Sequence, residues 1–178
     1  IKYDTRNRNL LKTRNALLLK FLYLTAARRS EAANLKWEDL HQDGEFQVVI
    51  LQQTKSGEPQ KLKLRNELFE ELECWNETLK TNQIECEWVF PSLSFRTLGG
   101  KMSGKGVNDV VSKLGSAIGL KISAHYLRHT AITLALELGE PLQKVQSYAR
   151  HASANTTIRY FHDQQFLEKN PTDRLPMI

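Results

Sequence analysis

The segment His125-Tyr126-Leu127-Arg128-His129-Thr130 places two imidazoles around a guanidinium at the start of a stretch with helical character. Positions three and four apart share one helix face, so His125 can stand beside both Arg128 and His129. A guanidinium offers a planar fork of donors that matches two phosphate oxygens, and it stays charged at any relevant pH. An imidazole next to it can add a hydrogen bond or move a proton. Phosphoryl chemistry is the natural use of such a pair. The spacing of His125 and His129 also fits a zinc-protease helix, but that motif needs Glu directly after the first His, where this chain has Tyr126.

Four other places carry residues of matching chemistry. Arg28 and Arg29 follow a Leu-rich run, and Glu31 stands three positions after Arg28. Lys55 lies in the turn-forming sequence Thr54-Lys55-Ser56-Gly57. Ala149-Arg150-His151 supplies a further imidazole, and Tyr160 follows nine residues after His151. Singly, each has an ordinary reading: a Tyr near a C-terminus is usually packing, and a Lys in a hairpin turn is usually solvated. Their joint appearance with both arginines is what raises them above that.

Taken together, these boxes resemble the tyrosine recombinase family, also called phage integrases, whose central signature is a His-x-x-Arg-His segment opening a helix. The resemblance runs from Leu17 to Tyr160, nearly the whole chain. It implies that Arg28, Arg128 and His151 hold the non-bridging oxygens of a DNA phosphate, that Glu31 orients Arg28, and that His125 adds a hydrogen bond or serves as a base. Lys55 would protonate the departing 5′ oxygen from a mobile turn, and Tyr160 would be the nucleophile. Either member of the Arg28-Arg29 pair could be the first phosphate-binding arginine, and only Arg28 has Glu31 three positions on. The chain departs from the family where Ala26 and Arg150 stand in place of the usual Gly, and where Arg29 replaces an apolar residue. The resemblance further implies a 3′-phosphotyrosyl intermediate that conserves the phosphodiester energy, so that neither metal nor ATP is required.

Several elements must position these groups. Residues 9 to 26 are apolar nearly all round and predict a helix buried on most sides, followed by a short helix beginning at Ser30. Phe46 to Leu51 and Lys61 to Leu64 predict a β-hairpin around the turn at Thr54 to Pro59. Helices are predicted over Glu67 to Leu79, Ser103 to Leu114 and Ala124 to Leu138, the last ending at Gly139, with Pro141 in the first turn of the next. A third short helix should contain Tyr160. On one continuous helix Tyr160 would stand roughly 13 Å from His151, so a turn near Ala154 to Thr156 is needed. The fold class is mainly α with a small antiparallel β-sheet, the tyrosine recombinase catalytic-domain fold.

Length and charge agree with this frame. At 178 residues the chain suits a single domain, 1–178, with an unpatterned tail over about 163–178. It opens at Ile1 rather than Met, as expected of a piece of a longer protein, and the family resemblance implies a second DNA clamp upstream. The net charge is +5. Its distribution is uneven: eight cations from Lys2 to Arg29 face only Asp4, whereas seven glutamates from Glu67 to Glu87 face only Lys80. One face should therefore attract polyanions and another repel them. Lys12 to Ala27 superficially resembles a secretory signal, but Lys20 interrupts the run and it falls short of the ~20 apolar residues of a membrane span. Cys74 and Cys86 lack the spacing of a zinc site or disulfide framework, which suits a reducing compartment.

The expected partner is double-stranded DNA, bound as a homo-tetramer on paired sites, with the isolated domain a monomer and no membrane involved. The expected setting is cytoplasmic and nucleoid-associated, in a prokaryote, phage or mobile element. A type IB topoisomerase uses a similar residue set, and a non-catalytic DNA-binding module would share the basic surface; both remain open from sequence.

Overall fold

A computed structural model describes residues 2–52 and 58–151, with side chains from residue 7 onward. Lys55 and Tyr160, with the predicted turn at Ala154 to Thr156 and the tail, lie outside the described residues. Helix α1 (Lys2–Thr25) leads into the short α2 (Arg29–Ala33), then strands β1 (Leu40–Asp43), β2 (Phe46–Leu51) and β3 (Gln60–Lys63). Four helices follow: α3 (Asn66–Thr81), α4 (Gly104–Ser116), α5 (Ala124–Glu137) and α6 (Leu142–Ala149). The architecture is mainly helical with one three-stranded antiparallel sheet of order β1-β2-β3, the class expected from the sequence.

Two boundaries differ from the sequence reading. Helix α1 starts well before residue 9, because a helix already nucleated by its apolar turns propagates through polar residues at little cost. Strand β1 is an addition: Leu40-His41-Gln42-Asp43 has no β-branched residue, and only its pairing with β2 makes it a strand. Asp43 pairs with Phe46 across a two-residue loop in which Gly44 takes φ 59°. An Asp-Gly step before an aromatic strand is a hairpin signal that could have found it. In register, Val49 lies between Leu40 and Leu62, which gives the sheet one apolar face toward α3.

The main core forms where α1 meets α3. Phe21 and Phe90 pack at 5.6 Å between ring centroids, and Leu18, Leu22, Leu72 and Trp75 are almost fully buried beside them. The Trp75 indole N–H donates to the Val89 carbonyl at 2.9 Å, so its polar edge is satisfied inside the core. A separate, smaller cluster joins Ala26 to Ala131, Ile132 and Leu136 of α5 and to Val145 and Ala149 of α6. The described residues contain no helix long and apolar enough to cross a membrane.

The described side chains of the basic N-terminal run do not share a single face. Arg14 is buried and donates to the Pro91 carbonyl at 3.0 Å, while burial lowers its pKa to about 10. Lys20 pairs with Glu71 of the acidic helix at 2.6 Å. Among the described side chains of that run, Arg28 and Arg29 line the cleft described next.

Candidate active site

Two tight turns bring the site residues together. Helix α1 stops when Ala26 enters the left-handed region at φ 46°, and the Thr25 hydroxyl donates back to the Phe21 carbonyl at 2.6 Å. The chain then reverses into Arg28, the residue before α2. At the other end, α6 stops when Arg150 enters the same region at φ 54°. The Arg150 N–H donates to the Ser147 carbonyl and the His151 N–H to the Gln146 carbonyl, closing the last helical turn. A non-glycine residue there costs roughly 1–2 kcal/mol, so the departures of Ala26 and Arg150 from glycine fall at the two strained positions of the site.

Helix α4 fixes where α5 begins. A Cβ on Gly115 would stand 2.4 Å from Ile122 Cγ1, so the segment before α5 packs against α4 as closely as glycine alone allows. The Ser112 hydroxyl donates to the Ile122 carbonyl at 3.1 Å, and Asn108 Oδ1 accepts the Ala124 N–H at 3.1 Å. Ser123 caps the helix by accepting the Tyr126 N–H at 3.2 Å. The positive end of the α5 dipole, with His125 in its first turn, thus faces the cleft.

That cleft, of about 400 Å³, is lined by Arg28, Arg29, Ser30, Asn108, Ala124, His125 and Arg128. The structure therefore brings Arg28, His125 and Arg128 to one place. His125 is exposed there, with its ring 6.2 Å from that of His129 and edge-on to it. Arg128 is buried, and its two terminal nitrogens donate to the carbonyls of Ala26 and Ala149. These bonds tie the guanidinium to both strained turns and fix its plane. Of the adjacent arginines, Arg28 makes the ion pair with Glu31, at 2.7 Å, whereas Arg29 lines the cleft as an exposed residue.

Glu31 is fully buried as a side chain between two guanidiniums. Its Oε1 accepts from Arg28 Nη1, and its Oε2 accepts the Arg28 backbone N–H at 2.7 Å and Arg150 Nη2 at 3.0 Å. Burial pushes its pKa upward, but the Arg150 charge and then the Arg28 bonds outweigh it and hold the carboxyl below its ordinary range. His151 follows directly after Arg150. Burial lowers its pKa to about 4, and the charges of Arg128, Arg28 and Arg150 push the same way. At neutral pH His151 is therefore an uncharged imidazole, able to donate one hydrogen bond.

Tyr148 also stands beside this cluster. Its hydroxyl proton is shared between the Tyr23 and Leu24 carbonyls, and burial raises its pKa to about 12, so its oxygen is engaged with the end of α1. No group of three or more His, Cys, Asp or Glu among the described residues is placed to hold a metal ion. Two site residues escaped the sequence reading. Asn108 has no local signal, and Arg150 was visible only as an unusual residue where glycine is expected.

Comparison with known proteins puts this geometry in a family. The phage integrase family model matches residues 3–166. Tyrosine recombinase XerA of Pyrococcus horikoshii is 33% identical over 147 residues, which cover 83% of this chain and 50% of the relative. A tyrosine recombinase of Synechococcus elongatus is 31% identical over 165 residues, covering 91% of this chain and 51% of its own. Among solved structures, XerH site-specific recombinase in a post-cleavage complex with a palindromic difH substrate matches with a TM-score of 0.75 at 27% identity, over 89% of this chain and 45% of that one. The crystal structure of XerA recombinase, at 22% identity, shares the fold with a TM-score of 0.72 over 98% of this chain and 65% of that one. This chain spans about half the length of the curated relatives it matches. With the family model covering most of its length, the chain belongs to the phage integrase family, the tyrosine recombinases.

Proposed function

We propose that this chain is the catalytic domain, spanning 1–178, of a site-specific DNA recombinase that cuts and rejoins strands through a covalent bond to Tyr160. The observation that carries the reading is the convergence of Arg28, His125 and Arg128 on one cleft, with an uncharged His151 among the same guanidiniums. Arginines anchored before a substrate arrives stabilise developing charge without reorganising, which is the most effective use of a charge in catalysis.

In the proposed reaction the Tyr160 oxygen bonds to phosphorus as the bond to the 5′ oxygen breaks. The phenol, with an ordinary pKa near 10, loses its proton during attack to a base such as His125. Lys55 gives a proton to the departing 5′ oxygen. Arg28, Arg128 and His151 hold the non-bridging oxygens, and Glu31 orients Arg28. A 5′-hydroxyl from another strand reverses the step, and the phosphotyrosyl bond conserves the energy needed, so no nucleotide is consumed.

The partner is double-stranded DNA, engaged by a tetramer on paired sites with the help of an upstream DNA-binding domain, and the isolated domain is a monomer. The cytoplasm, at the nucleoid, is the setting. A nicked duplex whose 5′ fragment diffuses away tests the chemistry: the protein should be captured covalently, and Tyr160→Phe should abolish capture while leaving DNA binding intact. Undiminished capture by that variant would remove Tyr160 from its role. Strand exchange between two marked duplexes then separates a recombinase from an enzyme that only relaxes supercoils.

A further inference from the structure

We propose that Arg150 is a positioning residue of this site: its buried guanidinium clamps Glu31 and the Ala26 turn, and so holds Arg28, Arg128 and His151 at one cleft. The inference rests on the proposed DNA-cleaving role and adds a residue to it.

Four described helices end in the same left-handed turn, and after α3 the residue that takes it, at φ 58°, is the exposed Gln83. Gly119 takes φ 75° after α4 and Gly139 takes φ 85° after α5, both without a side chain to strain. After α6 the residue in that conformation is Arg150. A side chain kept in a sparsely populated conformation needs its surroundings to over-determine it, and here they do. Nη1 donates to the Thr25 carbonyl at 3.0 Å and the Tyr148 carbonyl at 3.1 Å. Nη2 donates to the Ala26 carbonyl at 2.8 Å and to Glu31 Oε2 at 3.0 Å.

The two Nη2 bonds bear on groups of the proposed reaction. Glu31 passes the hold to Arg28, whose Nη2 also donates to the Arg150 carbonyl at 3.2 Å. The Ala26 carbonyl accepts from both Arg150 and Arg128, so the two guanidiniums share one anchor. His151 is the next residue in the chain, and its direction is set by the Arg150 backbone. The Arg150 side chain itself is 1% exposed, so it acts through these neighbours and does not touch DNA.

The charges facing Glu31 are Arg150 from the end of α6 and Arg28 from the turn before α2. On α4, which with α1 packs on α2, Lys105 and Asp109 pair with each other. Arg150 is the largest influence holding the Glu31 carboxyl down, so its loss moves the Glu31 pKa upward. Glu31 would then take up a proton at higher pH and release Arg28.

Arg150→Gly in the full protein tests this, because glycine accepts the left-handed backbone and only the guanidinium is lost. The rate of covalent capture on saturating nicked DNA should fall on the order of 10- to 100-fold through misplacement of Arg28. DNA affinity should change little, since many phosphate contacts share it. The acid limb of the rate profile should move to higher pH, in step with a raised Glu31 midpoint read by carboxyl carbon NMR. Arg150→Lys, which keeps the charge and gives up the fork, should restore the midpoint and reach an intermediate rate. If Arg150→Gly fails to fold, the lysine variant carries the test by that intermediate rate at full folding. Wild-type rate and acid limb in either folded variant, or a loss that follows only the folded fraction, overturns the proposal. The Glu31 titration also separates the two readings. If the unsubstituted protein captures no DNA, the recombinase reading fails, while the Glu31 shift still reports whether Arg150 holds that carboxylate.

Discussion

Helices α5 and α6 close with the same pair of backbone bonds, yet they place opposite residues at the left-handed position. After α5, Gly139 is exposed, and a Cβ added there would meet nothing within 4 Å. After α6, Arg150 is buried and pairs with Glu31. The first turn has only to end a helix, and glycine does that at least cost. The second also has to deliver His151 and brace a carboxylate, and a side chain is kept there despite the strain. Left-handed backbone at a non-glycine residue does not mark the site by itself, since the exposed Gln83 takes φ 58° after α3; at Arg150 it coincides with a buried ion pair to Glu31.

Glu31→Ala should have the largest effect on the α6 turn. That change strands two guanidiniums, one of them in a fully buried position, and should destabilise the protein by roughly 3–5 kcal/mol in urea unfolding. A loss below about 1 kcal/mol would mean that the α6 turn is held by its carbonyl contacts alone. Next in size, Arg128→Ala should slow covalent capture by about 100- to 1,000-fold with a smaller effect on DNA binding. Equal losses in rate and affinity would count against a role for Arg128 at the reacting phosphate.

Proton NMR should find His151 titrating near pH 4 in the DNA-free protein, against an ordinary value near 6.5. Because the unfolded chain binds that proton first, stability falls as pH drops from about 6.5 through about 4, and is level above that window. Binding of inorganic phosphate should raise the midpoint by offsetting the arginines, whereas a midpoint already at 6.5 would contradict the burial of His151 among them. The smallest effect belongs to Gly139→Ala, which has room for its methyl and should cost only about 1 kcal/mol, from φ alone. Capture activity in that variant should be unchanged.

Element order and helix type were legible because α1, α3, α4 and α5 carry apolar patterns long enough to decide themselves. Strand β1 was not, since its residues are polar and its existence depends on β2. The charge count at the N-terminus misled in part: sequence cannot tell that Arg14 turns inward to the Pro91 carbonyl while Arg28 faces the cleft. The boxes around Arg28, His125 and His151 were readable from residue type and spacing. Asn108 was not, because its role comes from α4 packing beside α5, a contact with no trace in local sequence. Arg150 was noticed as a departure from glycine, but its partner Glu31 is 119 positions away.

The division of the interior into two clusters has a dynamic consequence. The larger one is built on α1, α3 and the sheet, whereas the smaller one joins α5 and α6 to the end of α1 through Tyr23 and Ala26. Such a patch can come apart without melting the rest, since opening free energies follow local burial. Backbone amides of α6 should therefore exchange with deuterium sooner than those around Trp75. Each opening would scatter the arginines and His151 together, so the proposed catalytic cluster would be lost as one unit while the body of the molecule stays folded.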